Sequence, residues 1–174
     1  MADLNALVQS LARFPGALRG LLEGVSETTM ARRSASGAWS IHEVVLHLVI
    51  EEDEDFRSRL ASLISDPSKR WAPIDPEGAV VAALPDAAPT SELMDQFEKQ
   101  RAASVAWIQA VALGSSLETI YDHPEPGPLS AGDLITSWAA HDWLHARQII
   151  KRLYEDTLVS GDGFRARYAG EWGI

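Results

Sequence analysis

The stretch WSIHEVVLHLVIEEDEDF, residues 39–56, decides the fold. Ser40 is followed three positions later by Glu43, a capping-box pattern that satisfies the amide groups left unpaired at the start of a helix. Apolar residues then recur at helical spacing, at Ile41, Val44, Val45, Leu48, Phe56, Leu60 and Leu63. The pattern predicts one long amphipathic helix that ends at the sequence SDP, residues 65–67.

Three further segments carry the same helical spacing of apolar residues. Their predicted bounds are Asp3 to about Glu23, Thr90 or Ser91 to about Leu113, and Ser130 to about Tyr154. We expect Pro15 to bend or divide the first of them, because proline lacks the amide donor that a helix interior needs. The chain shows no strand-like alternation of apolar and polar residues.

The segment between the second and third helices is rich in proline. Residues 66–90 contain Pro67, Pro73, Pro76, Pro85 and Pro89, which favours a long irregular crossover over another core helix. Such a connection is typical of some helical bundles and of lids over a site. The sequence therefore predicts an all-α fold, a four-helix bundle with a long crossover connection between helices 2 and 3.

Composition limits the class of protein. A chain of 174 residues with 46% hydrophobic content suits one compact domain, spanning residues 1–174. The formal net charge of −10 opposes binding to nucleic acid or to an anionic membrane surface. No apolar run is long enough to cross a bilayer, so we expect a soluble, cytoplasmic protein. The chain has no cysteine, so any metal must be held by nitrogen and oxygen ligands.

The stretch AAHDWLHARQI, residues 139–149, contains a pair of histidines in the fourth helix. His141 and His145 are four residues apart, which separates them by about 40° on one helix face. His47 in the second helix is a third candidate ligand, because side chains of facing helices meet in the core of a bundle. Three histidines would leave a coordination position open, as in a catalytic site. The residues alone also fit ordinary hydrogen-bonded histidines, and His42 and His123 are not expected to be ligands.

Several neighbours of these histidines are candidates for supporting roles. Glu51 lies one turn beyond His47 and could orient the site or transfer protons, and Gln148 could hydrogen-bond a ligand. We expect most of the acidic run at residues 51–55 to be a solvated face, because consecutive residues point in different directions around a helix. Asp142 is expected to be a surface or interhelical residue. Trp138, one turn before His141, is a candidate wall of a cofactor pocket.

Three stretches together resemble the DinB/YfiT-like superfamily of bacterial four-helix-bundle metalloproteins. They are GAWSIHEVVLHL (37–48), FEKQRAASVAWI (97–108) and GPLSAGDLITSWAAHDWLHARQI (127–149). The resemblance implies a metal triad of one histidine after the WS motif and a His-x-x-x-His pair in the fourth helix. Those roles fall on His47, His141 and His145. Imidazole ligands at the spacing of the helical pair suit zinc, nickel or iron as the divalent ion.

The resemblance also implies a class of chemistry. Relatives include enzymes that use a low-molecular-weight thiol, such as mycothiol or bacillithiol, for S-transfer or isomerisation, and we expect this activity on a small-molecule substrate. One alternative is a metal-dependent hydrolase that uses metal-bound water, with Glu51 as a proton acceptor. A second alternative is a noncatalytic metal-binding stress-response protein. A homodimer is implied as well, because many relatives associate through faces of the bundle.

Overall fold

The computed structural model describes residues 3–111, 114–125, 127–170 and 172, and these residues are mainly helical. The helices are α1 (Leu4–Leu22), α2 (Glu27–Ala31), α3 (Ile41–Glu51), α4 (Arg57–Ser65), α5 (Pro76–Ala83), α6 (Thr90–Val111) and α7 (Ala131–Ser160). A π-helical turn, Glu52–Phe56, joins α3 to α4, and short 3-10 turns lie at Leu84–Asp86, Gly114–Glu118 and Arg167–Ala169. Within the described part of the chain, no helix is long and apolar enough to cross a membrane.

Four long helices form the bundle: α1, the continuous α3–α4 rod, α6 and α7. Both α1 and α3 pack against α6 and α7. The predicted capping box opens the second of these helices, where Ser40 and Glu43 exchange side-chain and backbone hydrogen bonds. The all-α four-helix bundle is confirmed, although the end predicted for the third helix, Leu113, lies outside the described residues.

Pro15 does not divide the first helix. Helix α1 runs without a break from Leu4 to Leu22, and Pro15 is buried inside it. A proline at this position deprives the carbonyl group of Leu11, one turn earlier, of its usual amide donor. The side chain of Arg101 in α6 replaces that donor, because its Nη1 donates to the Leu11 carbonyl oxygen at 3.2 Å. The helix therefore continues because another helix supplies the missing hydrogen bond.

The connection between the second and third bundle helices is only partly irregular. Residues 76–83 form α5, whose start is capped by the Asp75 side chain and has Pro76 in the first turn. Val80 of α5 is fully buried and joins the apolar core. The expectation of an irregular segment is thus wrong for α5, since its capping residue and its first-turn proline both favour a helix start.

A short hairpin precedes α7, although no strand was expected. Strands β1 (Ile120–Asp122) and β2 (Pro128–Ser130) pair antiparallel, with Tyr121 opposite Leu129. Three residues per strand are too few to produce a recognisable alternation in the sequence. The hairpin has a structural role, because the buried Tyr121 ring stacks on Trp71 at a centroid distance of 3.9 Å. This contact fastens the connection between helices to the end of the bundle.

The core consists of two apolar clusters with polar residues between them. Along α7, Trp138 and Ala139 belong to one cluster, and Ala146 and Ile149 belong to the other. The same division occurs along α6, between Phe97 and Ile108, and along the second bundle helix, between Val49 and Phe56. Buried polar side chains lie in these intervals, at Glu51, Glu52, Asp55, Arg101, Ser104 and Asp142, and the buried His47 lies one turn before Glu51. We call this set, together with the less buried His141 and His145, the polar layer.

The capping carboxylate Glu43 predicts a pH dependence of folding stability. Burial alone raises the pKa of Glu43, but hydrogen bonds from Arg33 and Ser40 outweigh burial and hold the pKa below its ordinary value. Such a group stabilises the fold above its unfolded pKa, and this contribution is lost as pH falls through the folded pKa. We expect Glu43→Gln to be less stable than wild type at neutral pH and to approach it in acid. Urea denaturation from neutral to acidic pH measures this difference.

Glu92→Gln is the matched control, because Glu92 is exposed in the first turn of α6 and changes the same charge near a helix start. It should show a smaller and less pH-dependent loss. An equal and parallel loss in the two variants would contradict the role given to the Arg33 and Ser40 contacts.

Candidate metal centre

The three predicted histidines converge in the polar layer. His47 comes from α3, whereas His141 and His145 come from adjacent turns of α7. The Nε2 atom of His141 lies 3.3 Å from Nε2 of His47 and 2.9 Å from Nε2 of His145. One ligand nitrogen from each histidine lies within 4.8 Å of the others. The structure therefore brings together the triad that the sequence predicted.

The spacing of these nitrogens suits a divalent metal ion. Zinc binds imidazole nitrogen at about 2.0–2.1 Å, so two ligands of a tetrahedral ion lie roughly 3.3 Å apart. The distances of 3.3 and 2.9 Å are close to that value. Among the described residues, these three alone form a cluster able to hold one ion. A three-histidine set of this kind leaves a coordination position for water or substrate.

The histidines are held in the neutral form that metal binding requires. Burial lowers the pKa of His47 to about 3, with a further contribution from His145. Burial, followed by the charges of His145, His47 and Arg101, lowers the pKa of His141 to about 3. Burial also lowers the pKa of His145, although the contact with Gln148 opposes that effect. Each imidazole thus offers a free lone pair at neutral pH.

Gln148 orients one of the three rings. Its Oε1 atom lies 2.8 Å from Nδ1 of His145. An amide oxygen only accepts hydrogen bonds, so Nδ1 carries the proton and Nε2 keeps the lone pair that faces His141. This arrangement, in which the second ring nitrogen is fixed by a polar neighbour, is usual for metal-bound histidine.

Glu51 lies on the far side of the His47 ring from the other histidines. Its Oε1 atom is 3.9 Å from Nδ1 of His47, which is beyond hydrogen-bond distance, and that buried Nδ1 has no partner among the described residues. Burial, together with the neighbouring Asp55, raises the pKa of Glu51 to about 8. Glu51 also lines a cavity of about 490 Å³. It therefore lies between the candidate metal centre and a space large enough for a small molecule.

The acidic run is more buried than we expected. Only Asp53 and Glu54 are exposed, whereas Glu51, Glu52 and Asp55 are buried. Consecutive side chains do point in different directions around the helix. The adjacent residues Glu51 and Glu52, and Asp55 one turn later, nevertheless all face the interior of the bundle. The prediction of a solvated face is wrong for Glu52 and Asp55, because arginine side chains compensate their charges. Arg101 pairs with Glu52, and Arg59 pairs with Asp55.

Trp138 does not form the wall of a ligand pocket. Its side chain is 1% exposed, and its ring stacks on Phe56 at 5.6 Å. Phe56 in turn lies against His141, with ring centroids 5.0 Å apart. The expected cofactor contact is therefore wrong, because Trp138 is enclosed in the core and reaches the site only through Phe56.

The two histidines not expected to be ligands lie apart from the triad. Nδ1 of His42 is 3.0 Å from the hydroxyl of Thr90. His123 follows β1, where its Nδ1 accepts a hydrogen bond from the amide of Glu125. Neither belongs to the cluster that could hold a metal ion.

The sequence reasoning overlooked Arg101. Its side chain is 2% exposed and pairs with Glu52 and with Asp142, which is the residue next to His141. Asp142 is therefore interhelical, as one of the two expectations had it, and is not on the surface. A signal for Arg101 did exist, since it falls at helical spacing within the apolar positions Met94, Phe97 and Ile108 of α6.

The contact between Gln148 and His145 predicts a measurable effect on metal affinity. We expect Gln148→Ala to weaken zinc binding by about 10- to 100-fold, because the His145 ring loses the partner that fixes its orientation. Competition with a chromophoric chelator measures the dissociation constant. Arg147→Ala is the matched control, since Arg147 is the exposed neighbour of Gln148 on α7. Equal affinities for the two variants would show that Gln148 does not support the site.

Comparison with known proteins identifies the fold and the family of this chain. A search of curated protein sequences gave no match. One solved structure with the same fold is YfiT from Bacillus subtilis, described as a probable metal-dependent hydrolase with an unusual four-helix bundle topology. The match covers 90% of this chain and 91% of that one, with a TM-score of 0.79 and 14% identity. Residues 10–149 match the family model of the DinB superfamily. The chain therefore belongs to the DinB superfamily.

Proposed function

We propose that this protein is a metal-dependent enzyme whose divalent ion is held by His47, His141 and His145. The observation that carries the proposal is the convergence of three neutral imidazole nitrogens from two helices, 2.9 and 3.3 Å apart. Zinc, nickel and iron all accept such ligands. A divalent ion in such a site acts as a Lewis acid and lowers the pKa of a bound water or thiol.

The surrounding residues hold the ligands in place. Gln148 fixes the tautomer of His145 through Nδ1. Aromatic rings pack against the other two ligands, with Trp39 at 5.1 Å from the His47 ring and Phe56 at 5.0 Å from the His141 ring. Such packing supports a rigid set of donors, which catalysis at a metal centre requires.

Among the possible reactions, we favour hydrolysis of a small molecule. The support is Glu51, a carboxyl group beside His47 whose pKa, raised to about 8, suits proton transfer near neutral pH. The description of YfiT as a probable metal-dependent hydrolase agrees with this choice. Glu51 would accept or return a proton at its carboxyl group, since this residue lines the cavity.

Transfer or isomerisation with a low-molecular-weight thiol is the second candidate. It is favoured by the size of the cavity next to Glu51, about 490 Å³, which could admit a cofactor as well as a substrate. Its lining mixes acidic and basic groups, including Glu54, Asp75, Lys69 and Arg70. A polar thiol with both donors and acceptors, such as bacillithiol or mycothiol, would suit such a lining, and it would supply the nucleophilic sulfur that a chain without cysteine lacks.

The metal centre itself is tested by elemental analysis of protein purified without an affinity tag. We expect about one equivalent of a divalent metal in wild type and less than a tenth of that in His141→Ala and in His145→Ala, because two imidazoles make a weak site. His42→Ala and His123→Ala are controls that should keep their metal. Absence of metal from wild type after reconstitution with zinc, nickel or iron would refute the proposal, as would full metal content in the two ligand variants.

The reaction is tested by incubating metal-loaded protein with ester, amide and electrophilic substrates, with and without each thiol. Turnover without thiol, reduced about 100-fold in Glu51→Gln but unchanged in Glu54→Gln, is the result expected for hydrolysis. The Glu54 variant is matched, because Glu54 lines the same cavity and is exposed. Turnover that requires a thiol would favour transfer, and stoichiometric metal without turnover would favour a noncatalytic metal-binding protein.

A further inference from the structure

We infer that Arg101 is a positioning residue of the metal centre, which sets the distance between His47 and the two histidines of α7. The inference rests on the proposed metal site. Arg101 contacts none of the three histidines by hydrogen bond; it acts through Glu52 and Asp142. These two carboxylates lie on the two helical segments that carry the ligands.

The guanidinium group holds both carboxylates at short range. Its Nη1 and Nη2 atoms donate to the two oxygens of Asp142 at 2.5 and 2.9 Å. Its Nε atom donates to the two oxygens of Glu52 at 3.0 and 2.9 Å. All three side chains are at most 2% exposed. A planar group with donors on two edges thus fixes both the separation and the relative rotation of two helices.

The carboxylates are close to the ligands along the chain. Asp142 directly follows His141 on α7, so any shift of Asp142 moves the backbone that carries His141. Glu52 directly follows Glu51, in the π-helical turn that continues α3 beyond His47. A displacement of Arg101 would therefore change the distance between His47 Nε2 and His141 Nε2, which is 3.3 Å here.

Arg101 is itself fixed by contacts that leave it little freedom. Its Nη1 atom also donates to the Leu11 carbonyl oxygen, which Pro15 leaves without an amide donor. Its guanidinium carbon lies 4.9 Å from the centroid of the Phe97 ring and 5.5 Å from that of Trp138. All four bundle helices therefore meet at this one side chain, and α1 and α6 act as the frame on which the ligand helices are aligned.

A purely stabilising role predicts a different outcome from a positioning role. Replacing a whole buried ion network by apolar residues is often neutral or stabilising, whereas removing one member leaves a buried charge without a partner. The variant that separates the two roles is therefore the triple substitution Glu52→Met, Arg101→Met and Asp142→Leu. If the network only stabilises the fold, this variant should bind metal as wild type does.

We expect the triple variant to fold but to bind zinc about 10- to 100-fold more weakly, as is usual when groups that orient metal ligands are lost. Chelator competition gives the affinity, thermal unfolding gives the stability, and the visible absorption spectrum of the cobalt-loaded protein reports the coordination geometry. The cobalt spectrum should change in band position or intensity. A role in stability alone would not alter that spectrum.

Arg101→Lys is the second variant, and it keeps the charge but not the fork that joins two carboxylates. It should also lose zinc affinity and alter the cobalt spectrum. Arg19→Met is the matched control, since it removes an exposed arginine that pairs with Asp95 and Glu98 of α6. Wild-type affinity and spectrum in the triple variant, or in Arg101→Lys if the triple variant does not fold, would overturn the inference. Wild-type protein that binds no metal would refute the metal centre instead, and so the two failures are distinguishable.

Discussion

The buried guanidinium of Arg101 is the contact on which the interior of this bundle depends. Removing an arginine from water is costly unless its charge and all its donors are satisfied. Here the compensation comes from three separate helical segments: the Glu52 carboxylate, the Asp142 carboxylate and the Leu11 carbonyl group. Each of these groups would in turn be unsatisfied without Arg101. The relative arrangement of the four helices is therefore fixed by the hydrogen bonds of Arg101 as well as by apolar packing.

The polar layer explains why the core is divided into two apolar clusters. The candidate metal centre brings several nitrogen and oxygen atoms to one level of the bundle, and these cannot be surrounded by hydrocarbon without partners. The helices concentrate their polar groups in the same interval, and ion pairs and hydrogen bonds satisfy most of them. One exception is Nδ1 of His47, which is buried without a hydrogen-bond partner and lies 3.9 Å from Glu51. That exception is at the site itself, where unsatisfied groups are most often found.

Much of the fold and of the candidate metal triad could be predicted because both follow from helical periodicity. Ser40 and Glu43 give the start of the second helix, and the spacing of His141 and His145 fixes them on one face of the fourth. The partnership with His47 required in addition that two helices lie side by side, which bundle topology and the family resemblance supplied. The short hairpin escaped prediction, because strands of three residues leave no periodic signal.

The errors made for the charged residues of the site share one cause, which is that a single helix does not show which charges meet across helices. The acidic run at residues 51–55 looks solvated when only its own helix is considered. Arg101 and Asp142 each lie at helical spacing among buried apolar positions, and this spacing predicts that both side chains are buried. They carry opposite charges and belong to two different helices. Read together, they predict an ion pair in the core. Contacts between side chains on regular helices can thus be predicted when two helices are considered together, because each helix fixes the directions of its side chains.

The cavity next to Glu51 cannot be predicted in this way. Trp71, Pro73 and Ile74 line it from a connection whose path no periodicity determines. The candidate metal ligands could therefore be named from sequence, whereas the lining of the cavity could not.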